Sequence, residues 1–184
     1  MHKEISDFID VNKVLDEIVT RDDLVVLDSG CGTGAIAIPC AKIIPKGTLF
    51  AVDKDSKALN IMLDRAKIEN INNVVALSSN IEDLEFQEEY FDLVIMSSVY
   101  HELEDAPLTL KRINKWLKST GILSLIEWKK ERKEDIGPPA IVRVEEDLVL
   151  GALVFSGFDL VHMEDLTDSI YHIVLKKSDR VCNI

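Results

Sequence analysis

Two periodicities alternate along the chain. Short apolar runs, rich in Val, Ile, Leu and Phe, occupy residues 25–28, 48–53, 74–77, 90–96 and 122–128, each bounded by Gly, Pro, Asn, Asp or Ser. Such runs read as strands buried on both faces. Between them apolar residues recur at helical spacing. Residues 6–20 predict an amphipathic helix capped by Ser6 or Asp7, with Phe8, Val11, Val14, Leu15 and Ile18 on one stripe. A second helix is expected over 34–44, bent by Pro39 inside it. A third is expected over 56–70, with Ala58, Leu59, Met62, Ala66 and Ile68 inward. A fourth follows over 106–118, through Leu108, Leu110, Ile113, Trp116 and Leu117, ended by Gly121, and a fifth over 145–155, closed by Gly157. Strands at 158–163 and 169–175 lie only a few residues apart, so they must form an antiparallel hairpin.

The first strand runs into a turn, Asp28-Ser29-Gly30-Cys31-Gly32-Thr33-Gly34, with glycines at alternate positions. Glycine admits positive φ and lets a ligand approach the backbone, and the helix that follows presents its positive end to the loop. The dinucleotide fingerprint spaces its glycines G-x-G-x-x-G to receive a pyrophosphate. Here the spacing is G-x-G-x-G and a carboxylate stands at the strand end. That charge repels a pyrophosphate and favours a ligand with an ammonium or sulfonium group, such as S-adenosylmethionine.

This decad resembles the first motif of class I S-adenosylmethionine-dependent methyltransferases, (V/I)LD(L/I)GCGTG, with Ser29 in place of the common Leu or Ile. The Phe91-Asp92-Leu93-Val94 strand is similar to the family's FD(L/V)V segment, Leu117-Lys118-Ser119-Thr120-Gly121 to its LKPGG turn, and the closing Gly157-Phe158 hairpin to its terminal strands. The likeness covers residues 24–177. It implies a Rossmann-like, doubly wound α/β sheet of seven strands, six parallel and one reversed, with helices on both faces. It also implies a cofactor site at Asp28, Gly30, Cys31, Gly32 and Gly34. Asp53, about 20 residues beyond the loop, is placed to accept from both ribose hydroxyls, with Lys54 beside it. Asn80 matches the residue that bonds the adenine amino group, and Ile81 the one that covers the ring.

In open α/β sheets, ligands lie at the carboxyl ends of the strands. The ends of the first and fourth strands should therefore adjoin, bringing Ser97, Ser98, Tyr100 and His101 near the transferable methyl. His101 is the candidate general base, because imidazole accepts a proton near neutral pH; the alternative is that it caps or braces the start of the next helix. Glu102 pairs with a cationic substrate or lies solvated. Glu127 and Trp128 end the fifth strand toward the same cleft, where Trp128 covers substrate or shields the core. The Gly137-Pro138-Pro139 stretch stiffens a loop that could fold over the site. Tyr171 and His172 resemble a Tyr-His pair of some relatives and join the substrate candidates.

With 184 residues the chain suits one domain, 1–184, made of an N-terminal helix in 1–21 and a core in 22–177. A net charge of −12 argues against nucleic acid and anionic membrane as partners. No apolar run reaches membrane-span length, and the start, Met1-His2-Lys3-Glu4, has no signal-peptide core. A cytoplasmic protein is expected, and a homo-oligomer is compatible with the sequence. Cys31, Cys40 and Cys182 show no metal-ligand or disulfide spacing, so no metal is expected. The segment from Lys129 to Asp135 mixes four basic with three acidic residues and reads as a solvated loop. The expected reaction is methyl transfer from S-adenosylmethionine to a small molecule, since the chain has neither the (D/N)PP(Y/F) segment nor a catalytic cysteine pair. The alternatives are an NAD-dependent oxidoreductase, disfavoured by Asp28, and a non-catalytic S-adenosylmethionine-binding subunit.

Overall fold

The structure, a computed structural model, describes residues 5–131 and 136–178. Cys182 and much of the mixed-charge loop expected around 129–135 fall outside those residues. The described chain runs α1 (Val11–Ile18), β1 (Val25–Ser29), α2 (Ala37–Ile43), β2 (Thr48–Asp53), α3 (Ser56–Ile68), β3 (Val74–Ser78), β4 (Phe91–Ser97), α4 (Ala106–Trp116), β5 (Leu117–Trp128), α5 (Glu146–Phe155), β6 (Phe158–Thr167) and β7 (Ile170–Lys177). Short 3-10 turns stand at Ile5–Asp7, Ile81–Asp83 and Tyr100–Glu102.

The strands form one sheet in the order β3-β2-β1-β4-β5-β7-β6. β7 pairs antiparallel with both β5 and β6, and every other pairing is parallel, so β7 alone is reversed. Successive strand residues face opposite sides. Val26, Leu93 and Ile95 pack with α1, α2 and α3, whereas Leu27, Val94 and Met96 pack with α4 and α5. This two-sided burial explains why the central strands lack polar alternation. Among the described residues no helix is long and apolar enough to cross a membrane.

Several expectations are corrected. Helix α1 is capped by Asp10, whose side chain accepts from the Asn12 and Lys13 amides at 3.1 and 3.2 Å, not by Ser6 or Asp7. Helix α2 starts only at Ala37, so Pro39 sits in its first turn, where a residue without an amide proton is tolerated, and not inside a longer helix. Ile68 is 78% exposed and Leu108 46%, both on outward faces. Strand β3 is a half-exposed edge and not a buried strand, because nothing pairs beyond it. Gly121 does not end α4. That helix stops at Trp116, and residues 118–121 bulge within β5, whose pairing jumps from Leu117 opposite Phe91 to Ile122 opposite Leu93. The bulge brings the Lys118 ammonium to Asp92 at 2.8 Å, while Asp92 also accepts from the Val25 amide at 2.9 Å. Burial raises the Asp92 pKa, but Lys118 and the Val25 amide outweigh it and the net shift is downward. That aspartate thus ties the starts of β1, β4 and β5 together.

Candidate active site

β1 and β4 lie side by side, with Asp28 opposite Ile95 and Ser29 opposite Met96, and their ends open into a cleft of about 890 Å³. The glycine loop forms its floor. Gly30, Gly32 and Gly34 have φ of 75°, 53° and 88°. A side chain is excluded at Gly30 on steric grounds as well, since a Cβ there would lie 2.1 Å from Val99 Cγ2. The amides of Gly30 and Cys31 donate to the Val52 carbonyl at 2.8 and 3.0 Å, and the Gly32 amide donates to Asp53 Oδ2 at 2.7 Å. The loop is therefore closed onto the end of β2.

Asp28 is 1% exposed, and its Oδ2 has no hydrogen-bond partner although the residue lines the cleft. Burial, and then the charge of Asp53, push its carboxyl up to about 7. An unpartnered buried carboxylate is costly, so the site holds a place for a cation. Asp53 also lines the cleft, and its Oδ1 accepts from the Asp55 amide at 2.8 Å. Asp55, not Asp53, caps α3. Lys54 pairs with Glu102 at 2.9 Å, which brackets the rim from both sides. Asn80 and Ile81 line a side pocket of about 60 Å³ that shares Gly30, Asp53 and Lys54 with the cleft. The Asn80 side-chain oxygen accepts from the Glu82 amide, which fixes the turn after β3. The geometry and donor set fit S-adenosylmethionine: an unpaired carboxylate, a glycine-rich cradle, a second carboxylate and a small side pocket stand along one cleft.

Across from the loop, Ser97, Ser98 and His101 line the cleft. The Ser97 hydroxyl has no partner, and Ser98 adopts φ 58°, which turns its hydroxyl to accept from Trp128 Nε1 at 2.8 Å. His101 Nδ1 lies 3.0 Å from both carboxylate oxygens of Glu127. Glu127 itself is 1% exposed and also accepts from the Trp128 amide at 2.8 Å. Burial lowers the His101 pKa, but the Glu127 bond and charge outweigh it, and the net shift is upward.

Trp128 forms a wall. Phe8 meets its ring edge-on at 5.5 Å, Gly137 packs on its face with φ 70°, and the Arg143 guanidinium lies 5.2 Å from the ring centre. Residues 136–139 and Phe8 line the cleft beside it. Arg143, which sequence reasoning missed, is 2% exposed and holds this loop. It donates to the carbonyls of Pro138 at 2.9 Å, Lys129 at 3.0 Å, and Ile136. An isolated arginine in a loop carries no sequence signal for such a role.

The structure does not bring every candidate to the cleft. Glu127 does not line it and bonds instead to two residues that do, His101 and Trp128. Tyr100 and Tyr171 are buried in the core shared with α4 and α5. His172 is fully buried in the neighbouring strand layer, its Nε2 2.9 Å from Ser124 Oγ, and burial lowers its pKa to about 4. None of these four lines the cleft: strand alternation and register point Glu127, Tyr171 and His172 elsewhere, and the 3-10 turn at Tyr100–Glu102 buries Tyr100.

The sheet order and the single reversed strand are those of class I S-adenosylmethionine-dependent methyltransferases. The chain belongs to the methyltransferase domain family, which matches residues 20–174. A S-adenosylmethionine-dependent methyltransferase from Aquifex aeolicus superposes with a TM-score of 0.84 at 25% identity, covering 92% of this chain and 90% of that one. The ubiquinone/menaquinone biosynthesis C-methyltransferase UbiE of Vibrio vulnificus is 31% identical over 107 residues, which are 57% of this chain and 41% of the relative. The match thus spans about two fifths of that relative's length. The [4+2]-cyclase SpnF has the same fold, with a TM-score of 0.82, 17% identity and coverage of 91% and 79%. Fold alone therefore does not name the reaction.

Proposed function

We propose that this protein transfers a methyl group from S-adenosylmethionine to a small-molecule acceptor, with His101 as the base. The observation that carries the reading is the unpartnered Asp28 carboxylate beside the glycine cradle, in a cleft that also holds the His101–Glu127 pair. S-adenosylmethionine supplies an electrophilic methyl on a sulfonium with a neutral leaving group. Asp28 offers Oδ2 to the amino-acid ammonium, Asp53 keeps lone pairs for ribose hydroxyls, and Asn80 with Ile81 frames the base. Trp128, Phe8 and residues 136–139 exclude water and hold the acceptor in line. Glu127 occupies His101 Nδ1, which leaves Nε2 to take the acceptor's proton as the new bond forms, in the base-and-orienter arrangement of acyl-transfer triads. A walled cleft, the net charge of −12 and the quinone pathway named for the UbiE relative support a small acceptor.

Thermal unfolding with S-adenosylmethionine, S-adenosylhomocysteine and NADH tests the cofactor. A ligand at about 100 times its Kd stabilises by about 2.7 kcal/mol, or roughly 5–11 °C at this size. The two adenosyl compounds are expected to shift Tm and NADH to leave it unchanged. A shift with NADH alone overturns the proposal.

A further inference from the structure

Outside the cleft, on the sheet face covered by α1, one side chain of that helix converges with two of the β6–β7 hairpin. A nitrogen of His172 on β7, a carboxylate oxygen of Glu164 on β6 and one of Glu17 on α1 lie within 4.8 Å of one another. Glu164 and His172 stand directly opposite each other in the β6–β7 ladder, so their side chains share one face.

Two of the three are aimed inward without a partner. His172 is fully buried, its Nε2 is engaged by Ser124 Oγ at 2.9 Å, and its Nδ1 has no hydrogen-bond partner. Glu164 Oε1 is likewise buried and unpartnered. Its other oxygen, Oε2, faces Lys13 Nζ at 3.8 Å and His162 Nε2 at 4.0 Å. Orphaned buried polar atoms are rare in folded proteins, and two at one spot mark a missing partner. A divalent cation meets both at once: with the ring proton on Nε2, donated to Ser124 Oγ, Nδ1 and Glu164 Oε1 each present a lone pair to it.

We propose that His172 Nδ1, Glu164 Oε1 and the Glu17 carboxylate form a divalent transition-metal site that clips α1 to the β6–β7 hairpin. One imidazole and two carboxylates suit Zn²⁺ or a similar borderline cation, with water as the fourth ligand. Ser124 acts on the far side of the ring, holding Nε2 and so orienting Nδ1, as outer hydrogen bonds do for metal-bound histidines. Glu17 is exposed and supplies the entry side. The clip is structural. It fixes α1, which follows directly on Phe8 in the cleft wall, and takes no part in methyl transfer.

The test is thermal unfolding and calorimetry of the metal-stripped full chain with Zn²⁺, with Mg²⁺ as the control that prefers all-oxygen sites. Zn²⁺ at about 100 times its Kd is expected to raise Tm by roughly 5–11 °C with one equivalent bound, Mg²⁺ to have no effect, and the His172 Nδ1 resonance to move. Glu17→Gln, an exposed change that folding tolerates, and Glu164→Gln are each expected to abolish the shift. Glu17→Gln should leave S-adenosylhomocysteine affinity unchanged, which separates this site from the cofactor cleft. Absence of a Zn²⁺ shift in the parent protein, or a shift that persists in Glu17→Gln, overturns the proposal.

Discussion

At the scale of single residues, two buried ionisable groups carry opposite signs of the same physics. Asp28 is held near pKa 7 by burial and by Asp53. Between its ordinary value and about 7 the native protein keeps a proton that the unfolded chain has released, so stability falls as pH rises through that window and levels off above it. Asp28→Asn removes that cost, which is at most about 4 kcal/mol from the size of the shift. We expect the variant to be more stable than the parent at pH 8 and nearly equal to it at pH 4, by urea denaturation at both. Its affinity for S-adenosylhomocysteine should fall by roughly tenfold or more, since the ammonium loses its counter-charge. Equal stabilisation at the two pH values would remove the electrostatic explanation.

His101 is shifted upward too, but because Glu127 favours its charged form, whereas burial disfavours that of Asp28. Its pKa is raised on balance, so its ion pair with Glu127 contributes stability fully below the ordinary imidazole value, and that contribution is lost as pH rises through the folded value. A base must be neutral to act, so turnover should climb with pH along a limb lying above about 6.5. His101→Ala should cost about 10²–10⁴ in kcat, and Glu127→Gln should move the limb to lower pH while cofactor affinity holds. A limb that stays in place in Glu127→Gln would show that Glu127 does not tune the imidazole.

At the scale of elements, the loop beside the cleft rests on one side chain. Arg143 satisfies carbonyls of Lys129, Ile136 and Pro138 with its fork and stacks on Trp128. Arg143→Lys keeps the charge and loses the fork. We expect it to raise KM for the acceptor several-fold, to destabilise by about 1–3 kcal/mol through the orphaned carbonyls, and to leave cofactor affinity near the parent value. Unchanged acceptor KM would dissociate the loop from substrate binding. The element scale is also where sequence patterning was both strong and limited. Strands at 48–53 and 90–96 were legible from uninterrupted apolar runs between turn residues, because burial on both faces leaves no polar position. The ends of helices were less legible. Ile68 sits on an outward face of the last turn of α3, and hydropathy does not register which side of a helix end has sheet beneath it. The bulge at 118–121 comes with the Lys118–Asp92 pair across β4 and β5, a contact with no local signature.

At the scale of the whole molecule, the chain carries a net charge of −12, and the cleft is lined by Asp28, Asp53, Asp55 and Glu102 against Lys54 and Lys57. S-adenosylmethionine carries one more positive charge than S-adenosylhomocysteine. Raising ionic strength from about 0.1 M to about 1 M shortens the screening length from about 10 Å to about 3 Å. We therefore expect salt to weaken S-adenosylmethionine binding more than S-adenosylhomocysteine binding, as read by calorimetry of both ligands. Equal losses would show that the field of the fold does not assist the cation.

What the sequence by itself determined is what local chemistry can encode. Alternating strand and helix periods, the turn that only glycines can make, and the carboxylate ahead of it follow from neighbours a few residues apart, and they sufficed for the family. Tertiary structure decided the relations between residues far apart in the chain. It set Glu127 behind His101 instead of in the cleft, buried Tyr171 and His172 within the sheet layers, tied the loop beside the cleft to Arg143, and gathered Glu17, Glu164 and His172 on one face. The reason is the two-residue period of the strand: which side of the sheet a residue serves depends on register against its neighbours, and register is a property of the assembled sheet.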